Sequence, residues 1–501
     1  MNKPKHSTGR GYRHALHRRV TWTLMAVLFI SWGGPAANAF WQSLSSSNFG
    51  AAKADSMPQG GAPVASLNGT NATVNWAAVA TPGGHAVAGY TVARYSAPTG
   101  GTKIAAGGGC AGTVSGLSCI EQNLPGGTWY YTVTPVISLW TGAESARSTG
   151  VAIDTTPPTI SVTSISPTPN GAGFNRSGTV TVNLAAVDNT GGSGVANIKY
   201  AVDGGSTVTV SAATAAVNVS GGDGTHTVSY SATDAAGNAS TTQTQTVKID
   251  TTAPVVGVAS ISPTPNSLGY NRTSTVTVNL SATDVGGSGI ANIKYAIDGG
   301  SQVTVNAATA AVNVSGGDGT HTVSYSATDV AGNPSNPQTQ TVTIDTTAPT
   351  VSSVAMNNGG TGKTADSGDT LTIVFSTDMD ARTLCSGWDS TSATQSATGT
   401  ASISTGNVLT FVSSSCTAPA FGSVSLGAAY NTGTSARTFT ATMAWTQSTG
   451  NLVITLTSNG SGGTAGTGLS PATPVYAPAP GAADKAGNPV GTITPGGQSK
   501  F

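Results

Sequence analysis

The sequence has few charged and few aromatic residues. Asp, Glu, Lys and Arg make up 8% of its 501 residues, and Phe, Trp and Tyr make up 6%. Disordered chains are usually rich in charge and poor in β-branched residues. This sequence is instead rich in Val and Thr, which favour strands. The composition therefore predicts a folded protein, with room for about four β-domains of roughly 100 residues each.

Clustered basic residues are missing beyond the amino terminus. Six of the 20 Lys and Arg residues lie in the first 39 positions, which contain no Asp or Glu. The rest of the chain carries 14 basic and 20 acidic residues. Nucleic-acid binding normally requires clustered Lys and Arg, so we expect no nucleic-acid partner.

The sequence contains a single long apolar run, at residues 20–32. It follows a basic stretch that ends at Arg19, and the sequence Ala-Asn-Ala at 37–39 offers small residues for cleavage before Phe40. This order is typical of a secretory signal peptide, which we predict over 1–39. An uncleaved membrane anchor is the alternative, although the run is short for a spanning helix. We expect a bacterial protein that is secreted or associated with the cell surface, without a membrane span in the mature chain.

The four cysteines form two local pairs, Cys110 with Cys119 and Cys385 with Cys416. An even number of cysteines in an exported chain favours disulfides. A zinc site would need four ligands, and the sequence has no Cys-x-x-Cys motif or His cluster. Two structural disulfides are the favoured prediction, with unpaired thiols as the alternative.

An internal repeat organises the middle of the chain. Residues 212–234 recur unchanged at 307–329, and the phrase IDTT begins at Ile153, Ile249 and Ile344. Apolar and polar residues alternate within each unit, as at Val180, Val182 and Leu184. Such alternation buries one face of a strand. About seven short strands in roughly 95 residues are typical of an immunoglobulin-like (Ig-like) sandwich.

Sequence phrases in each region resemble known extracellular domains. The phrases IKYAVDGG at 198–205 and GDGTHTVSYSATDAAGN at 222–238 resemble the bacterial Ig-like repeats of surface proteins and adhesins. VNWAAV at 74–79 and NLPGGTWYYTV at 123–133 resemble a fibronectin type III domain. That resemblance implies a Trp on the second strand, matched by Trp76, and a Tyr before the sixth, matched by Tyr130 or Tyr131. DSGDTLTIVFSTDMD at 366–380 and DKAGNPV at 484–490 resemble Ig-like domains of bacterial surface-layer and cell-wall proteins.

These observations predict an all-β chain of tandem Ig-like and fibronectin III-like β-sandwich domains in an extended array. The predicted order is a signal peptide (1–39), a flexible linker (40–61), a fibronectin type III-like domain (62–153), Ig-like repeat 1 (154–249), Ig-like repeat 2 (250–344) and a carboxy-terminal Ig-like domain (345–501). Within the last domain, we expect residues 383–472 to form a long excursion held by the second disulfide. The junctions are short and contain proline, which stiffens the chain. Four stacked domains would give a monomeric rod about 150 Å long.

Residues suited to catalysis are scarce. Only His85, His226 and His321 follow the signal peptide, whereas Ser/His/Asp and Cys/His sites need a base. We interpret His226 and His321 as packed at the start of a strand and His85 as solvated in a turn. No phosphate-binding or zinc-protease motif is present, so we predict that the chain is not an enzyme and has no catalytic residues.

Calcium is the one cofactor that the sequence raises. Asp188 and Asp284 lie in Gly-rich loops, and Asp234, Asp329 and Asp484 begin D-x-A-G-N segments. Asp154, Asp250 and Asp345 lie at the domain junctions. Calcium requires six to eight oxygen ligands. The favoured interpretation of D-x-A-G-N is a hairpin turn; Asp188, Asp234, Asp284 and Asp329 are the alternative calcium ligands.

The tryptophans suggest carbohydrate as a further possible ligand. Trp41, Trp129, Trp140, Trp388 and Trp445 could stack on sugar rings, but Trp in small sandwiches more often belongs to the core, which we expect for each. Three functions remain open: a spacer or adhesion module that binds an extracellular protein or glycan, a carbohydrate-binding accessory protein, and a hydrolase hidden in 345–501. The first is favoured.

Overall fold

A computed structural model describes residues 39–41, 54–376, 378–416, 421–491, 493 and 497–501. The predicted signal peptide, apart from Ala39, lies outside these described residues, as do residues 42–53 of the expected linker. Within the described ranges, no helix is both long enough and apolar enough to cross a bilayer. The chain divides into two compact units. One holds the described residues up to Ser164 with Val182–Val217 and Thr227–Gln245, and the other holds Ile165–Thr181, Asn218–His226 and the residues from Thr246 onward.

The expected linker is partly held in place. Strand β1 (Ala39–Trp41) pairs antiparallel with β2 (Ala54–Ser56). The Gly60 N–H donates to the Ala143 carbonyl at 3.0 Å. A Cβ at Gly60 would lie 2.2 Å from the Val133 carbonyl oxygen, so only glycine permits this close approach. The prediction of a flexible linker over 40–61 is therefore wrong for its described part, because its backbone finds hydrogen-bond partners.

Two sheets enclose the core of the first domain. Their strands are β3 (Val64–Asn68), β4 (Asn71–Asn75), β5 (Gly89–Tyr95), β6 (Ile104–Ala105), β7 (Thr113–Val114), β8 (Ser118–Glu121), β9 (Gly127–Ile137), β10 (Trp140–Thr141) and β11 (Val151–Ile153). One sheet has the order β3-β4-β8. The other has the order β10-β9-β5-β6, with β7 on β5 and β11 on β9. Trp76 follows the second strand of the domain and meets Tyr90 edge-on at 5.4 Å. Tyr131 is fully buried in the same core.

Each repeat contains eight strands in the same order. Repeat 1 has β12 (Thr159–Ser166), β13 (Phe174–Asn175), β14 (Val180–Val187), β15 (Val195–Val202), β16 (Val208–Val210), β17 (Thr214–Val219), β18 (Gly224–Asp234) and β19 (Gln243–Ile249). Repeat 2 has β20 (Val255–Ser262), β21 (Tyr270–Asn271), β22 (Val276–Thr283), β23 (Ile290–Ile297), β24 (Val303–Val305), β25 (Thr309–Val314), β26 (Gly319–Asp329) and β27 (Gln338–Ile344).

Both repeats have the same sheet topology. Repeat 1 has a three-stranded sheet, β12-β14-β17, and a five-stranded sheet, β13-β19-β18-β15-β16. Repeat 2 has the corresponding sheets, β20-β22-β25 and β21-β27-β26-β23-β24. The predicted burial of Val180, Val182 and Leu184 is confirmed, since each is at most 1% exposed. The period-two pattern therefore positions the core residues, and the loops at the strand ends carry the polar groups discussed below.

The carboxy-terminal region forms one continuous sheet. Its elements are β28 (Val351–Asn357), β29 (Thr370–Phe375), helix α1 (Ala381–Leu384), β30 (Thr394–Ile403), β31 (Val408–Val412), β32 (Ser423–Ser425), β33 (Arg437–Thr446), β34 (Asn451–Leu456) and β35 (Val475–Ala477). The strand order is β28-β29-β34-β33-β30-β31-β32-β35. One apolar cluster, with Trp445, Tyr430 and Tyr476 among its largest members, contains residues from all eight strands. A single sheet with one shared core must curve around that core.

The prediction that residues 383–472 form a long excursion from the domain is wrong. This stretch supplies β30 to β34, which lie at the centre of the sheet. The reason is the pairing of β30 with β33 over ten consecutive residues, Thr394 to Ile403, which joins the two halves of the sheet. The predicted disulfides are both present, Cys110–Cys119 and Cys385–Cys416.

Candidate metal centre

Two groups of three aspartates come together at strand ends. Asp154 follows β11, Asp188 follows β14 and Asp234 ends β18; we call these three the first aspartate cluster. Asp250, Asp284 and Asp329 occupy the corresponding positions in repeat 2 and form the second aspartate cluster. In each cluster, one carboxylate oxygen from every residue lies within 4.8 Å of the others. The structure thus unites the junction, loop and D-x-A-G-N aspartates, which are far apart in the sequence.

Backbone and side-chain donors fix the first cluster. The Ser193 N–H and hydroxyl donate to Asp154 Oδ2 at 2.8 and 2.9 Å. The Gly194 N–H donates to Asp188 Oδ2 at 2.6 Å. The Asn238 amide Nδ2 donates to Asp234 Oδ2 at 2.8 Å and to the Asp154 carbonyl at 3.0 Å. The three carboxylates are therefore oriented by the loop before β15 and by the turn after β18.

The second cluster repeats this arrangement and is more buried. Asp250 and Asp329 are 0% and 1% exposed. The Gly289 N–H donates to Asp284 Oδ2 at 2.8 Å, and Asn333 Nδ2 donates to Asp329 Oδ2 at 2.8 Å. Asp284 Oδ1 is shielded from solvent and accepts no hydrogen bond. One carboxylate oxygen of this cluster is thus left without the donor that a buried acceptor normally requires.

The favoured turn interpretation of D-x-A-G-N agrees with the geometry. The Asn238 N–H donates to Asp234 Oδ1 at 2.7 Å, and Asn333 N–H to Asp329 Oδ1 at 2.7 Å. Gly237 and Gly332 have φ of 93° and 100°, a region that favours glycine. The same aspartates both close the turn and contribute to a cluster, so the turn and calcium interpretations are compatible.

The charges of the two clusters are not balanced by side chains. In the parts of the chain that the structure describes, no ion pair joins any of the six carboxylates to Lys, Arg or His. The Ser193 and Thr156 backbone N–H groups lower the pKa of Asp154, which favours its charged form. Three carboxylates at this spacing provide hard oxygen ligands of the kind that Ca²⁺ prefers.

The third junction differs from the other two. Asp345 and Asp484 correspond to the junction and turn aspartates, and Asn488 Nδ2 donates to the Asp345 carbonyl at 2.9 Å, as its counterparts do. Lys485 replaces Ala235 and Val330 of the repeats, and its ammonium binds Asp378 Oδ2 at 2.8 Å. Burial, and the nearby charges of Asp484 and Asp318, raise the pKa of Asp345. The Lys485 ammonium is thus paired with Asp378, and in the described residues no ion pair joins it to Asp345 or Asp484.

The remaining candidate residues lie apart from these clusters. His226 and His321 are buried near the start of β18 and β26, and His85 is exposed in a turn. His321 Nδ1 lies 2.8 Å from Asp298 Oδ2, and Nε2 lies 3.0 Å from the Gly317 carbonyl. All four cysteines are in disulfides, so none is available as a nucleophile.

Four of the five tryptophans named above can be placed. Trp129, Trp388 and Trp445 are buried, as expected of core residues. Trp140 is 37% exposed, so its predicted core position is wrong: β10 is a two-residue strand at the sheet edge. The side chain of Trp41 lies outside the described residues.

Several functional groups were missed in the sequence. Ser193 and Ser288 bond to the junction aspartates Asp154 and Asp250. The shared GGSG phrase before β15 and β23 is the only sequence signal for them. Glu121, which is 1% exposed in the first domain, has no sequence signal, because its partners Arg94 and Tyr131 are distant in the chain.

Comparison with known proteins gives no family assignment. No protein-family model matches the sequence, and no curated protein matches it. Among solved structures, the fibronectin(III)-like modules of Clostridium thermocellum CbhA match with 17% identity and a TM-score of 0.22, covering 37% of this chain and 94% of that one. The FN1–FN3 domains of chicken CNTN1 match with 15% identity and a TM-score of 0.23, covering 57% and 99%. The all-β tandem architecture therefore rests on the strand pairing described above.

Proposed function

We propose that this chain is an exported, non-enzymatic bacterial protein that acts outside the cell as a structural spacer or adhesion module. The single observation that carries the proposal is the construction of the junctions. Asn170 Nδ2 donates to the Val330 carbonyl at 2.8 Å, and Arg176 Nη1 donates to the Gly332 carbonyl at 3.0 Å. Side chains that flank β13 of repeat 1 thus bind the D-x-A-G-N turn of repeat 2.

The next junction uses the same device. Asn266 Nδ2 donates to the Lys485 carbonyl at 2.8 Å, and Arg272 Nη1 donates to the Gly487 carbonyl at 2.8 Å. Corresponding side chains bond at these two junctions, which favours ordered junctions over flexible tethers. A chain that holds its domains at fixed spacing suits a spacer, and it does not require a catalytic site.

Small-angle scattering on the mature chain tests the spacer. We expect a radius of gyration well above roughly 23 Å, the value for one packed body of about 460 residues. A value near that figure would contradict both the extended array and the function built on it.

We further propose that the two aspartate clusters bind calcium. Each provides three carboxylates without a side-chain counterion, and Asp284 Oδ1 has no hydrogen-bond donor. Bound calcium would cross-link the junction aspartate to two loops of the following repeat. Among the described residues, no third acidic ligand joins Asp345 and Asp484 in such a group, so we propose no calcium at the third junction.

Calorimetric titration of the full chain with calcium after chelator treatment tests this site. D284N keeps the oxygen that accepts from the Gly289 N–H and removes the charge, so it should lose one of two binding events. D188N should lose the other, and D389N, outside both clusters, should bind as the unmodified chain does. Undiminished calcium binding by the D188N/D284N double variant would refute the site and leave the spacer proposal standing.

A further inference from the structure

A cleft opens at one end of the first domain, away from the first aspartate cluster. We call it the Trp140 cleft; it encloses about 220 Å³ and is lined by Ser56, Met57, Thr81, His85, Ala86, Ile137 and Trp140. Sites for drug-sized ligands span roughly 300–1,000 Å³. This cleft therefore suits a smaller ligand, about the size of one ring.

One wall of the cleft is an apolar hairpin. Trp140 pairs with Ile137 across the turn between β9 and β10, and Ser138 in that turn has φ of 53°. A Cβ at Gly142 would lie 2.0 Å from the Pro58 carbonyl oxygen, so the hairpin packs directly against the segment after β2. The strand that carries Trp140 is thus held in place while 37% of Trp140 remains exposed.

The opposite wall is a tight polar turn. The Thr81 N–H donates to the His85 carbonyl at 2.9 Å, and the Gly84 N–H donates to the Thr81 carbonyl at 2.8 Å. The His85 N–H donates to the Thr81 hydroxyl oxygen at 3.2 Å, and the Gly83 N–H donates to Asp55 Oδ1 at 3.1 Å. Four hydrogen bonds therefore fix the turn before any ligand arrives, which lowers the entropic cost of binding.

We propose that the Trp140 cleft binds one sugar ring of a carbohydrate chain. A pyranose has an apolar face of C–H groups and an edge of hydroxyls, which match the Trp140 wall and the wall of Ser56, Thr81 and His85 respectively. An aromatic ring with one apolar and one wet surface suits such a ligand.

The position of the cleft fits a binding role beyond that of a spacer. The first residue of β9, Gly127, pairs with Ile153. The last residue of β9, Ile137, pairs with Trp140. The cleft is therefore separated by the length of β9, about 33 Å at 3.3 Å per residue, from the end of the domain that leads to Asp154. Ligand binding in the cleft and the first aspartate cluster are therefore at opposite ends of β9.

Affinity electrophoresis of the full chain in gels containing cellulose, chitin, xylan or mannan derivatives tests the proposal. We expect retardation in at least one gel, and W140A should weaken that binding about tenfold or more. W140Y should retain most of it. The matched control is L139S, because Leu139 is 95% exposed at the hairpin tip and does not line the cleft.

Two results would overturn the inference: no retardation by any of the four polysaccharides, or equal retardation of W140A and the unmodified chain. Binding to phosphatidylglycerol vesicles that L139S abolishes would assign the hairpin to a membrane instead, and would also overturn it. Unchanged small-angle scattering of W140A shows that a loss of binding is not a loss of the spacer fold. If the Trp140 cleft binds no carbohydrate, the spacer proposal is unaffected.

Discussion

Replacing Glu121 by Gln should destabilise the first domain strongly. Glu121 is 1% exposed, and Oε1 accepts from Arg94 Nη1 and, at 2.6 Å, from the Gly107 N–H. Oε2 accepts from the Tyr131 hydroxyl at 2.8 Å. A glutamine can keep these contacts, since its amide can donate to the Tyr131 oxygen, but it removes the negative charge. The substitution therefore tests the effect of the negative charge while the shape of the side chain at position 121 is kept.

The expected loss of stability in E121Q follows from the Arg94 charge that is left without its partner. Breaking a buried ion pair from one side costs about 3–5 kcal/mol, because the other charge is left uncompensated. The Arg94 side chain keeps 17% exposure and stacks over Trp129 at 4.8 Å, so solvent and the indole screen part of that charge. We expect about 3 kcal/mol, at the lower end of that range.

Hydrogen exchange measured by mass spectrometry on the full chain provides a local readout. Peptides from 64–153 should lose protection in E121Q, whereas peptides from repeat 2 should not change. The double variant R94M/E121Q should recover much of the loss, because it removes both charges and also Arg94 Nε, which is buried without a hydrogen-bond partner, while the amide keeps an acceptor for the Gly107 N–H. A loss below about 1 kcal/mol in E121Q, the range of exposed ion pairs, would refute the reasoning.

Two further predictions use the same readout. Removing Cys385–Cys416, with a separation of 31 residues, should cost about 3–4 kcal/mol, and removing Cys110–Cys119, with a separation of 9, about 2–3 kcal/mol; the reverse order of the two losses would contradict the loop-closure argument. The hydrogen bond from Asp298 raises the pKa of His321 and lowers that of Asp298, so the pair should stabilise repeat 2 fully only between about pH 4 and 6.5. That stabilisation should fade as pH rises through the raised histidine pKa or falls through the lowered aspartate pKa, and a pH profile unchanged by D298N would contradict it.

The sequence was most informative where a pattern repeats with a period of two. The burial of Val180, Val182 and Leu184 follows from alternation alone, because one face of each strand must pack. Sequence also indicated the aspartates of both clusters, but not their grouping. Asp154, Asp188 and Asp234 are separated by 34 and 46 residues in the chain, and only the sheet topology places their strand ends side by side.

Other features depend on tertiary context that no local pattern encodes. Trp140 is a large apolar residue of the type usually found in a core, yet it lies on a two-residue edge strand and remains exposed. The continuous sheet of the last domain results from the ten-residue pairing of β30 with β33, and each strand alone also fits a two-sheet sandwich. The sequence alone does not distinguish Lys485 from an ordinary surface lysine, and only the structure shows its contact with Asp378.

The parallel pairing of β21 with β27 has a mechanical consequence. Tyr270 and Asn271, near the start of repeat 2, lie opposite Thr343 and Ile344 at its end, and the Asp345 N–H extends the ladder to the Asn271 carbonyl at 2.9 Å. Tension applied through the two ends of the repeat pulls these parallel strands in opposite directions along their own length. The hydrogen bonds of the ladder are then loaded together in shear, rather than opened one after another like a zipper. A load that passes β20 and reaches these two strands must therefore break their hydrogen bonds together before they can separate.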